Sequence, residues 1–401
     1  MTTGATFPGV PTTIPTSLDD ISASWLTELV RDSPVGSPDA VVSDRTLTVL
    51  GTGEGFSGDL ARVEPVYEAG SGPSSLIVKL PTSIAENRAG GEMLGVYERE
   101  IRMYDELLPT LEVPLPHLYH GAFDPNPIDV DRQMVWLPRI DRLPIWLLRG
   151  LARLMQLAGR QASDRRSVMV IEDLAPAVVG DQVAGCDLDT TARVLTVAAR
   201  LHAATWGERA PAISNWLQRA DVAPRLFHAG FLEARKGFLQ RAEPFFSDHT
   251  TALVRRVRRE GPELIRRVHR ATPPCLLHGD LRLDNMFFDG DGEVRALIDW
   301  QIANIGPSII DVSYFICGSL DADVSEDDVD ALLAGYHAEL LANGVSDLPL
   351  ARLVAAYHDA LLLNLHRIAS LDAVEFGDDR GVALIDEWLR RIDTRLRRLP
   401  A

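Results

Sequence analysis

One segment of this chain, residues 275–301, constrains its fold more than any other. An apolar run leads to Asp280, Asn285 follows five residues later, and a second apolar run ends at Asp299. Short apolar runs separated by turn residues predict β-strands. Each of the three polar residues therefore borders a hydrophobic segment, and a rigid core would fix them at the rim of a cleft.

The same segment also suits an ordinary β-hairpin. The runs Cys275–Leu277, Met286–Phe288 and Val294–Ile298 are strand-like, and Gly290-Asp-Gly292 is typical of a turn. The two interpretations are compatible, because a hairpin can carry functional side chains at its ends.

The order of these residue types suits phosphoryl transfer. A carboxylate at Asp280 can accept the proton of an attacking hydroxyl group. The side chains of Asn285 and Asp299 can hold magnesium against the phosphates of a nucleotide. The spacing therefore predicts a phosphotransferase site with these three residues as its catalytic group.

Two motifs carry a resemblance to a known family. His278-Gly279-Asp280 with Asn285, and Ile298-Asp299-Trp300-Gln301, resemble the catalytic-loop and metal-binding motifs of the aminoglycoside phosphotransferase and choline kinase group. Residues 53–58 and 170–174 are most similar to its ecdysteroid-kinase-like (CHK-like) branch. The resemblance runs from about Thr46 onward. It departs from protein kinases, because the chain lacks an Arg before the catalytic acid, an Asp-Phe-Gly motif and an Ala-Pro-Glu motif.

The resemblance implies an α+β, bilobal protein-kinase-like fold with the cleft between the lobes. The first lobe would be a small antiparallel sheet with one helix, and the second would be larger and mainly helical. We expect a flexible tail over 1–17, a nucleotide-binding lobe over 18–173 and a catalytic and acceptor-binding lobe over 174–401. An insertion at about 123–165 interrupts the first lobe.

A glycine-rich segment lies between two strand-like runs. Gly53, Gly55 and Gly58 match G-x-G-x-x-G, but no helical pattern follows and Pro65 would break a helix. The sequence therefore predicts a β-hairpin whose loop covers the triphosphate; a simple flexible loop is the alternative. By resemblance, the nucleotide-binding residues here are Gly53, Gly55, Phe56, Ser57 and Gly58.

A single Lys, Lys79, lies within the apolar strand Leu76–Leu80. Burying a charge is costly without a partner. By resemblance, Lys79 contacts the α- and β-phosphates and pairs with a Glu on the following helix, predicted over Glu92–Leu108. Helical periodicity selects Glu100 on the flank of the apolar stripe, with Glu98 as runner-up and Glu92 and Glu106 pointing away. Alternatively, the head of Lys79 reaches solvent at a sheet edge.

A further apolar strand, Ser167–Ile171, ends at Glu172-Asp173-Leu174. In the group that the chain resembles, such a strand leads to the hinge whose backbone binds adenine. The resemblance therefore places adenine at the backbone of Glu172, Asp173 and Leu174. A plain core strand is the alternative.

Composition narrows the class of protein. The formal charge of −17 and the lack of a basic stripe argue against a nucleic-acid partner. The three Cys residues form no disulfide or metal pattern, which favours the cytoplasm. We find no signal peptide and no apolar run long enough to cross a membrane. The oligomeric state stays open.

The insertion contains Trp146–Ala158, a candidate basic amphipathic helix. Its broad apolar face should be covered, and we expect it to pack on the first lobe. A lid, a dimer contact or a membrane-surface anchor are the alternatives.

The acceptor is expected to be a small molecule. Only eleven residues separate Asp299 from Asp311, which leaves no room for a phosphorylatable activation segment. We interpret Asp311 as structural, capping the helix that starts near Val312 and bracing the catalytic loop. His202 is interpreted as a core histidine, and His278 as a hydrogen-bonding support of the loop.

Together these features predict an enzyme that uses ATP and Mg²⁺ to phosphorylate a hydroxyl group of a small organic molecule. One alternative is an aminoglycoside or macrolide phosphotransferase that confers resistance. Another is a non-catalytic nucleotide-binding relative, although Lys79, Asp280, Asn285 and Asp299 are all present. Nothing in the sequence identifies the acceptor.

Overall fold

The computed structural model describes residues 13–50, 58–125, 136–158, 164–210, 216–371 and 379–399. The chain divides into two compact units. The first takes in the described residues of Met1–Pro109, Leu115–Pro127 and Gln156–Pro176. The second takes in those of Thr110–Pro114, Ile128–Met155 and Ala177–Ala401.

The first unit is built on a five-stranded antiparallel sheet. Its strands are β1 (Val41–Leu50), β2 (Asp59–Ala69), β3 (Leu76–Leu80), β4 (Leu118–Phe123) and β5 (Ser167–Glu172), in the order β1-β2-β3-β5-β4. The interior strand β5 is buried over Ser167–Ile171, which explains its continuous apolar run. The predicted hairpin around the glycine-rich segment is confirmed, because β1 and β2 pair with Leu50 opposite Leu60.

Three helices accompany this sheet: α1 (Ala23–Asp32), α2 (Ala85–Leu94) and α3 (Val96–Arg102). The side chain of Ser22 accepts the amide of Trp25 and so caps α1, which packs its apolar face on the sheet. Helix α1 was not predicted from the sequence. The single helix predicted over Glu92–Leu108 is wrong, because Gly95 adopts φ +66° and ends α2.

The second unit is mainly helical. Its helices are α4 (Ile145–Ala158, whose first eleven residues belong to this unit), α5 (Leu188–Ala204), α6 (Pro224–Ala242), α7 (Asp248–Ala271), α8 (Ile309–Ser319), α9 (Glu326–Ala342), α10 (Leu350–Leu371) and α11 (Asp379–Leu396). Helix α8 is buried along its whole length, as its almost continuously apolar sequence requires. The predicted α+β class is confirmed.

Two small sheets carry the motif segment. Strands β6 (Val178–Val179), β8 (Met286–Phe288) and β9 (Val294–Leu297) form one antiparallel sheet in the order β6-β8-β9. The predicted hairpin of the two motif strands is therefore confirmed. Strand β7 (Pro274–Leu277) pairs instead with β10 (Asn304–Pro307), a partner that the sequence analysis does not predict.

The insertion helix α4 packs on α6. Leu148 and Ala152 form a small apolar cluster with Ala229 of α6. Arg149 and Arg153 both donate to the carboxylate of Glu233, also on α6. The expected packing on the first lobe is therefore wrong, because the partner of the apolar face is a helix of the second unit. None of the described helices is long and apolar enough to cross a membrane.

Candidate active site

The β8–β9 hairpin brings the motif residues together. Strand β8 begins directly after Asn285, and its first residue pairs with the last residue of β9. The amide of Ile298 donates to the carbonyl oxygen of Asn285 at 2.9 Å, so Asn285 and Asp299 lie at the same end of the hairpin. The Asn285 side-chain nitrogen donates to Oδ2 of Asp280 at 3.0 Å. The three predicted catalytic residues therefore form one group.

The loop that carries Asp280 is braced by a buried carboxylate. Oδ2 of Asp311 accepts the amide of His278 at 2.7 Å, and Oδ1 accepts the amide of Gly279 at 3.1 Å. Gly279 adopts φ +86°, and a Cβ there would lie 2.3 Å from the carbonyl oxygen of Ile302. The predicted bracing role of Asp311 is confirmed. Its predicted capping role is wrong, because α8 begins after Ser308 and Asp311 lies within its first turn.

His278 supports the loop through both ring nitrogens. Nε2 lies 2.9 Å from the carbonyl oxygen of Ile298, and Nδ1 lies 3.3 Å from the amide nitrogen of Asp280. A carbonyl oxygen can only accept and an amide N–H can only donate, so these partners assign the proton to Nε2. The ring is fully buried against Trp300. The predicted supporting role of His278 is confirmed.

The Asp280 carboxylate receives three hydrogen bonds. Arg282 Nε and Asn285 Nδ2 both donate to Oδ2 at 3.0 Å, and the Tyr314 hydroxyl donates to Oδ1 at 2.8 Å. Burial disfavours the ionised carboxylate, but the Arg282 charge and the Tyr314 hydrogen bond outweigh burial and lower the pKa of Asp280. Asp280 is therefore an anion at neutral pH, the state in which it can accept a proton.

Sequence reasoning missed four residues that support this loop: Arg282, Tyr314, Arg367 and Gln182. Arg282 also donates to Asp284 at 2.7 Å, and Gln182 accepts the amide of Leu283 at 2.8 Å. Arg367 donates to the carbonyl oxygen of Gly279. One signal was present for Tyr314: it follows Asp311 by three residues on α8, so the two share one face of the helix.

The donor set at the hairpin end fits a magnesium–nucleotide complex. Because Nδ2 of Asn285 donates to Asp280, its amide oxygen is the atom left to bind a cation, and Asp299 lies at the same end of the hairpin. Magnesium in such sites uses one or two protein side chains and fills its other positions with water and phosphate oxygens. No cluster of three or more His, Cys, Asp or Glu suited to a metal occurs among the described residues, and a two-ligand site needs none.

Asp299 has an uncommon backbone conformation. Its φ of +63° lies in the left-handed region, which costs a non-glycine residue roughly 1–2 kcal/mol. Such strain persists only where the surroundings enforce it, and it is concentrated at functional sites. The hairpin bond of the preceding residue, Ile298, supplies part of that enforcement.

In the first unit, Lys79 and Glu100 form an ion pair. Nζ of Lys79 lies 2.9 Å from Oε1 and 2.8 Å from Oε2 of Glu100, and the side chains are only 11 % and 4 % exposed. This is the pairing that the resemblance implied. The alternative that Lys79 reaches solvent at a sheet edge is wrong, because β3 lies between β2 and β5.

The other candidate acids of this segment have different partners. Glu98 lies 3.3 Å from Arg165 and 3.8 Å from Arg102. Glu92 does not point away from the core, as the sequence suggested, but is buried with Arg165 at 2.6 Å. Burial raises the pKa of Glu92, and the Arg165 charge opposes this rise.

The remaining predicted nucleotide residues are only partly described. Gly53, Gly55, Phe56 and Ser57 lie outside the described residues. At Gly58 a Cβ would lie 2.8 Å from the carbonyl oxygen of Leu80, so the close approach of β2 to β3 requires a glycine there.

In the predicted hinge, the amide of Glu172 donates to the carbonyl oxygen of His117 at 2.9 Å. The carboxylate of Asp173 accepts two hydrogen bonds from Arg62, and Leu174 is buried. Contact of this segment with adenine stays a prediction.

Several solved structures are similar to this chain. Amicoumacin kinase hAmiN in complex with AMP-PNP, Ca²⁺ and Ami is 14 % identical, with 87 % of this chain and 88 % of that chain covered and a TM-score of 0.46. Macrolide 2′-phosphotransferase type I is 16 % identical, with 96 % and 98 % covered and a TM-score of 0.43. Choline kinase LicA from Streptococcus pneumoniae is 16 % identical, with 86 % and 92 % covered and a TM-score of 0.43.

No curated protein matches the chain. The family comparison is more decisive, because a single family model spans most of the sequence. The model of the ecdysteroid kinase-like family matches residues 52–346, and it therefore includes the glycine-rich segment, Lys79 and the motif hairpin. The chain belongs to the ecdysteroid kinase-like family.

Proposed function

We propose that this protein is an ATP-dependent O-phosphotransferase that phosphorylates a hydroxyl group of a small organic molecule. The observation that supports this most is the group of Asp280, Asn285 and Asp299 at one end of the β8–β9 hairpin. Asp280 is the proposed catalytic base, and Asn285 and Asp299 are the proposed Mg²⁺ ligands. Family membership supports the same chemistry.

The proposed reaction is a direct transfer. The acceptor O–H bond breaks as its proton moves to Asp280, and the acceptor oxygen forms a bond to the γ-phosphorus of ATP. The bond from the γ-phosphorus to the β,γ-bridging oxygen breaks, and its electron pair leaves with ADP. The lowered pKa of Asp280 keeps it ionised before this step. Its three hydrogen bonds fix the carboxylate, which reduces the reorganisation needed to reach the transition state.

Other groups are proposed to contact the nucleotide. When bound, Mg²⁺ would neutralise charge on the phosphate oxygens. Lys79, oriented by Glu100, is proposed to bind the α- and β-phosphates. The glycine-rich segment (Gly53, Gly55, Phe56, Ser57 and Gly58) is proposed to cover the phosphates, and the backbone of Glu172, Asp173 and Leu174 to bind adenine.

A small acceptor is favoured by the segment that follows Asp299. Residues 304–307 form β10, paired with β7, and α8 begins two residues later. A protein-kinase activation segment needs a long loop at this point. The chain instead passes directly from the proposed metal ligand into a buried helix, which supports a permanently assembled enzyme for a small alcohol.

The first experiment measures ADP release from MgATP with pooled alcohols: aminoglycosides, macrolides, choline-like amines, sterols and short hydroxy acids. Asp280→Asn should lower turnover by about 10²–10⁴-fold, the usual contribution of a general base, and leave MgATP binding nearly unchanged. Asp291→Asn is the matched control, because this exposed carboxylate lies in the turn at the opposite end of the same hairpin. Its turnover should equal that of the wild type.

The outcomes separate the competing functions. Acceptor-dependent release by the wild type and the Asp291→Asn protein alone would support the proposal, and the responding pool would give the acceptor class. MgATP binding without release from any pool would favour a non-catalytic nucleotide-binding protein. Substantial turnover by Asp280→Asn would remove this residue as the base.

The metal assignment has its own test. Asp299→Ala should abolish the magnesium dependence of AMP-PNP binding, measured by calorimetry with and without Mg²⁺. The same dependence in the variant as in the wild type would refute Asp299 as a ligand.

A further inference from the structure

The hydrogen bonds on Asp280 distinguish its two carboxylate oxygens. An ionised carboxylate offers about four acceptor positions, two on each oxygen. Both positions on Oδ2 are taken, by Arg282 Nε and Asn285 Nδ2. On Oδ1 the Tyr314 hydroxyl takes one position, and no other described residue takes the second. The Asp280 side chain is 22 % exposed, so it is not sealed in the core.

Tyr314 is itself held from two sides. The Arg367 guanidinium carbon lies 4.2 Å from the centre of the Tyr314 ring, and the Trp388 ring centre lies 5.5 Å away on α11. Arg367 also donates to the carbonyl oxygen of Gly279, next to Asp280. The ring is only 4 % exposed. The position of the Tyr314 hydroxyl is thus fixed relative to the catalytic loop.

Tyr314 can act only as a donor to Asp280. Burial, and then the negative charge of Asp280, raise the pKa of the Tyr314 phenol well above its ordinary value. The phenol therefore keeps its proton at neutral pH and donates it to Oδ1 in a hydrogen bond.

From this arrangement we infer that Oδ1 is the oxygen of Asp280 that receives the acceptor proton, and that Tyr314 is the positioning residue that orients it. The inference rests on the proposed function. In the transfer, the acceptor O–H bond breaks and an Oδ1–H bond forms, while the Tyr314 hydroxyl keeps its own proton. Arg367 contributes indirectly, by holding the Tyr314 ring and the Gly279 carbonyl group.

The test compares Tyr314→Phe with Tyr357→Phe. Tyr314→Phe removes the donor but keeps the ring between Arg367 and Trp388. Tyr357 is equally buried, lies on α10, and has a hydroxyl without a hydrogen-bond partner among the described residues, so it is the matched control. The readouts are kcat and KM for MgATP with the acceptor pool that supports ADP release. Each kcat is normalised to the number of sites that bind AMP-PNP.

Misplacing a reacting group can cost on the order of 100-fold in rate, so kcat of Tyr314→Phe should fall roughly 10- to 100-fold. The KM for MgATP should stay within about twofold, because the nucleotide contacts are unchanged. Replacing Tyr314 by 4-aminophenylalanine restores a donor at the same atom and should recover most of the lost kcat. A purely structural role would lower the number of binding sites without changing the normalised kcat.

A second variant covers the case in which Tyr314→Phe does not fold. Arg367→Met leaves the Tyr314 hydroxyl in place but removes the cation from its ring, and kcat should again fall without loss of AMP-PNP binding. Wild-type normalised kcat in the folded Tyr314 or Arg367 variant, with Asp280→Asn inactive, would overturn this inference and leave the proposed function standing. A wild type that binds AMP-PNP but never turns over would instead refute the proposed function, and this inference with it.

Discussion

Two charged side chains, Lys79 in the first unit and Asp280 in the second, are stabilised in different ways. Lys79 is held in the first unit by an ion pair with an acid, Glu100. Asp280 is held in the second unit by donors from three residues, one of which, Tyr314, comes from a separate helix. The first arrangement balances one buried charge directly with another. The second distributes the same task over several hydrogen bonds.

The difference has a physical consequence. Removing one member of a buried pair leaves the other charge in a medium that solvates it poorly, and stability suffers. Removing one of several donors leaves a charge that is still solvated, so the fold persists while the position of the group changes. Removing the Glu100 charge should therefore act strongly on stability. Removing one hydrogen-bond donor to Asp280, such as the Tyr314 hydroxyl, should act mainly on rate.

The largest effect on stability is expected from Glu100→Gln. Lys79, only 11 % exposed, would lose its ion pair with Glu100, and breaking a buried pair costs about 3–5 kcal/mol of unfolding free energy. Chemical denaturation of both proteins measures the loss. The control is Glu98→Gln on the same helix, whose partly exposed pairs should cost below about 1 kcal/mol. Equal losses in the two variants would contradict the importance of the buried Lys79–Glu100 pair for stability.

The next largest loss of stability is expected from Gly279→Ala, in the loop that carries Asp280. A left-handed φ costs a residue with a Cβ roughly 1–2 kcal/mol, and Gly344 (φ +88°) has the same conformation in open space. At Gly279, a Cβ would in addition overlap the carbonyl oxygen of Ile302, which typically adds about 1–3 kcal/mol. Gly279→Ala should therefore lose more unfolding free energy than Gly344→Ala. An equal loss would show that the loop relaxes around the new methyl group.

A smaller effect is expected from Asp311→Asn. The amide of Asn cannot accept both loop N–H groups, so one buried donor at His278 or Gly279 loses its partner, at a cost of about 1–3 kcal/mol. The loss is measured as the change in unfolding free energy at pH 7. A variant as stable as the wild type would show that the loop does not need the carboxylate.

The stability difference between the wild type and Asp311→Asn should also depend on pH. Burial disfavours the Asp311 anion, but His202, whose Nε2 lies 3.5 Å from Oδ2, and nearby positive charge outweigh burial and lower the pKa of Asp311. A lowered folded-state pKa gives stability that is present above the unfolded pKa, about 3.9, and is lost as the pH falls through the folded value. The stability gap between the wild type and Asp311→Asn should narrow below about pH 4. A gap constant down to pH 3 would contradict this.

Whether a feature could be predicted from the sequence depends on how far apart its interacting residues lie along the chain. The strands and the β8–β9 hairpin were predictable because short apolar runs and turn residues are local signals. Glu100 could be selected because Tyr97 and Ile101, which follow the break at Gly95, keep helical spacing and are buried. That break was missed, since the apolar stripe continues across it.

The rest of the site depends on contacts between distant residues. Tyr314 reaches Asp280 from 34 positions away, and Arg367 reaches Gly279 from 88 positions away. Periodicity shows which face of a helix is apolar, but it does not show which element covers that face. For this reason α4 could be predicted as a helix, but its packing against α6 could not be predicted.

The smallest effect is expected where α4 meets α6, at Glu233→Gln. Both partner side chains are largely solvated, with Arg149 43 % and Arg153 63 % exposed, so the loss should stay below about 1 kcal/mol. Asp141 provides a larger contrast, because its carboxylate accepts the amides of Arg225 and Leu226 at the start of α6. Asp141→Ala should cost about 0.5–2 kcal/mol, as for a lost helix cap.

Hydrogen exchange at the amides of α4 would follow both variants, and only Asp141→Ala should speed exchange clearly. A loss of unfolding free energy above about 2 kcal/mol for Glu233→Gln would be much larger than exposed ion pairs contribute. It would mean that the pairs of Glu233 with Arg149 and Arg153 contribute to stability as a buried ion pair does.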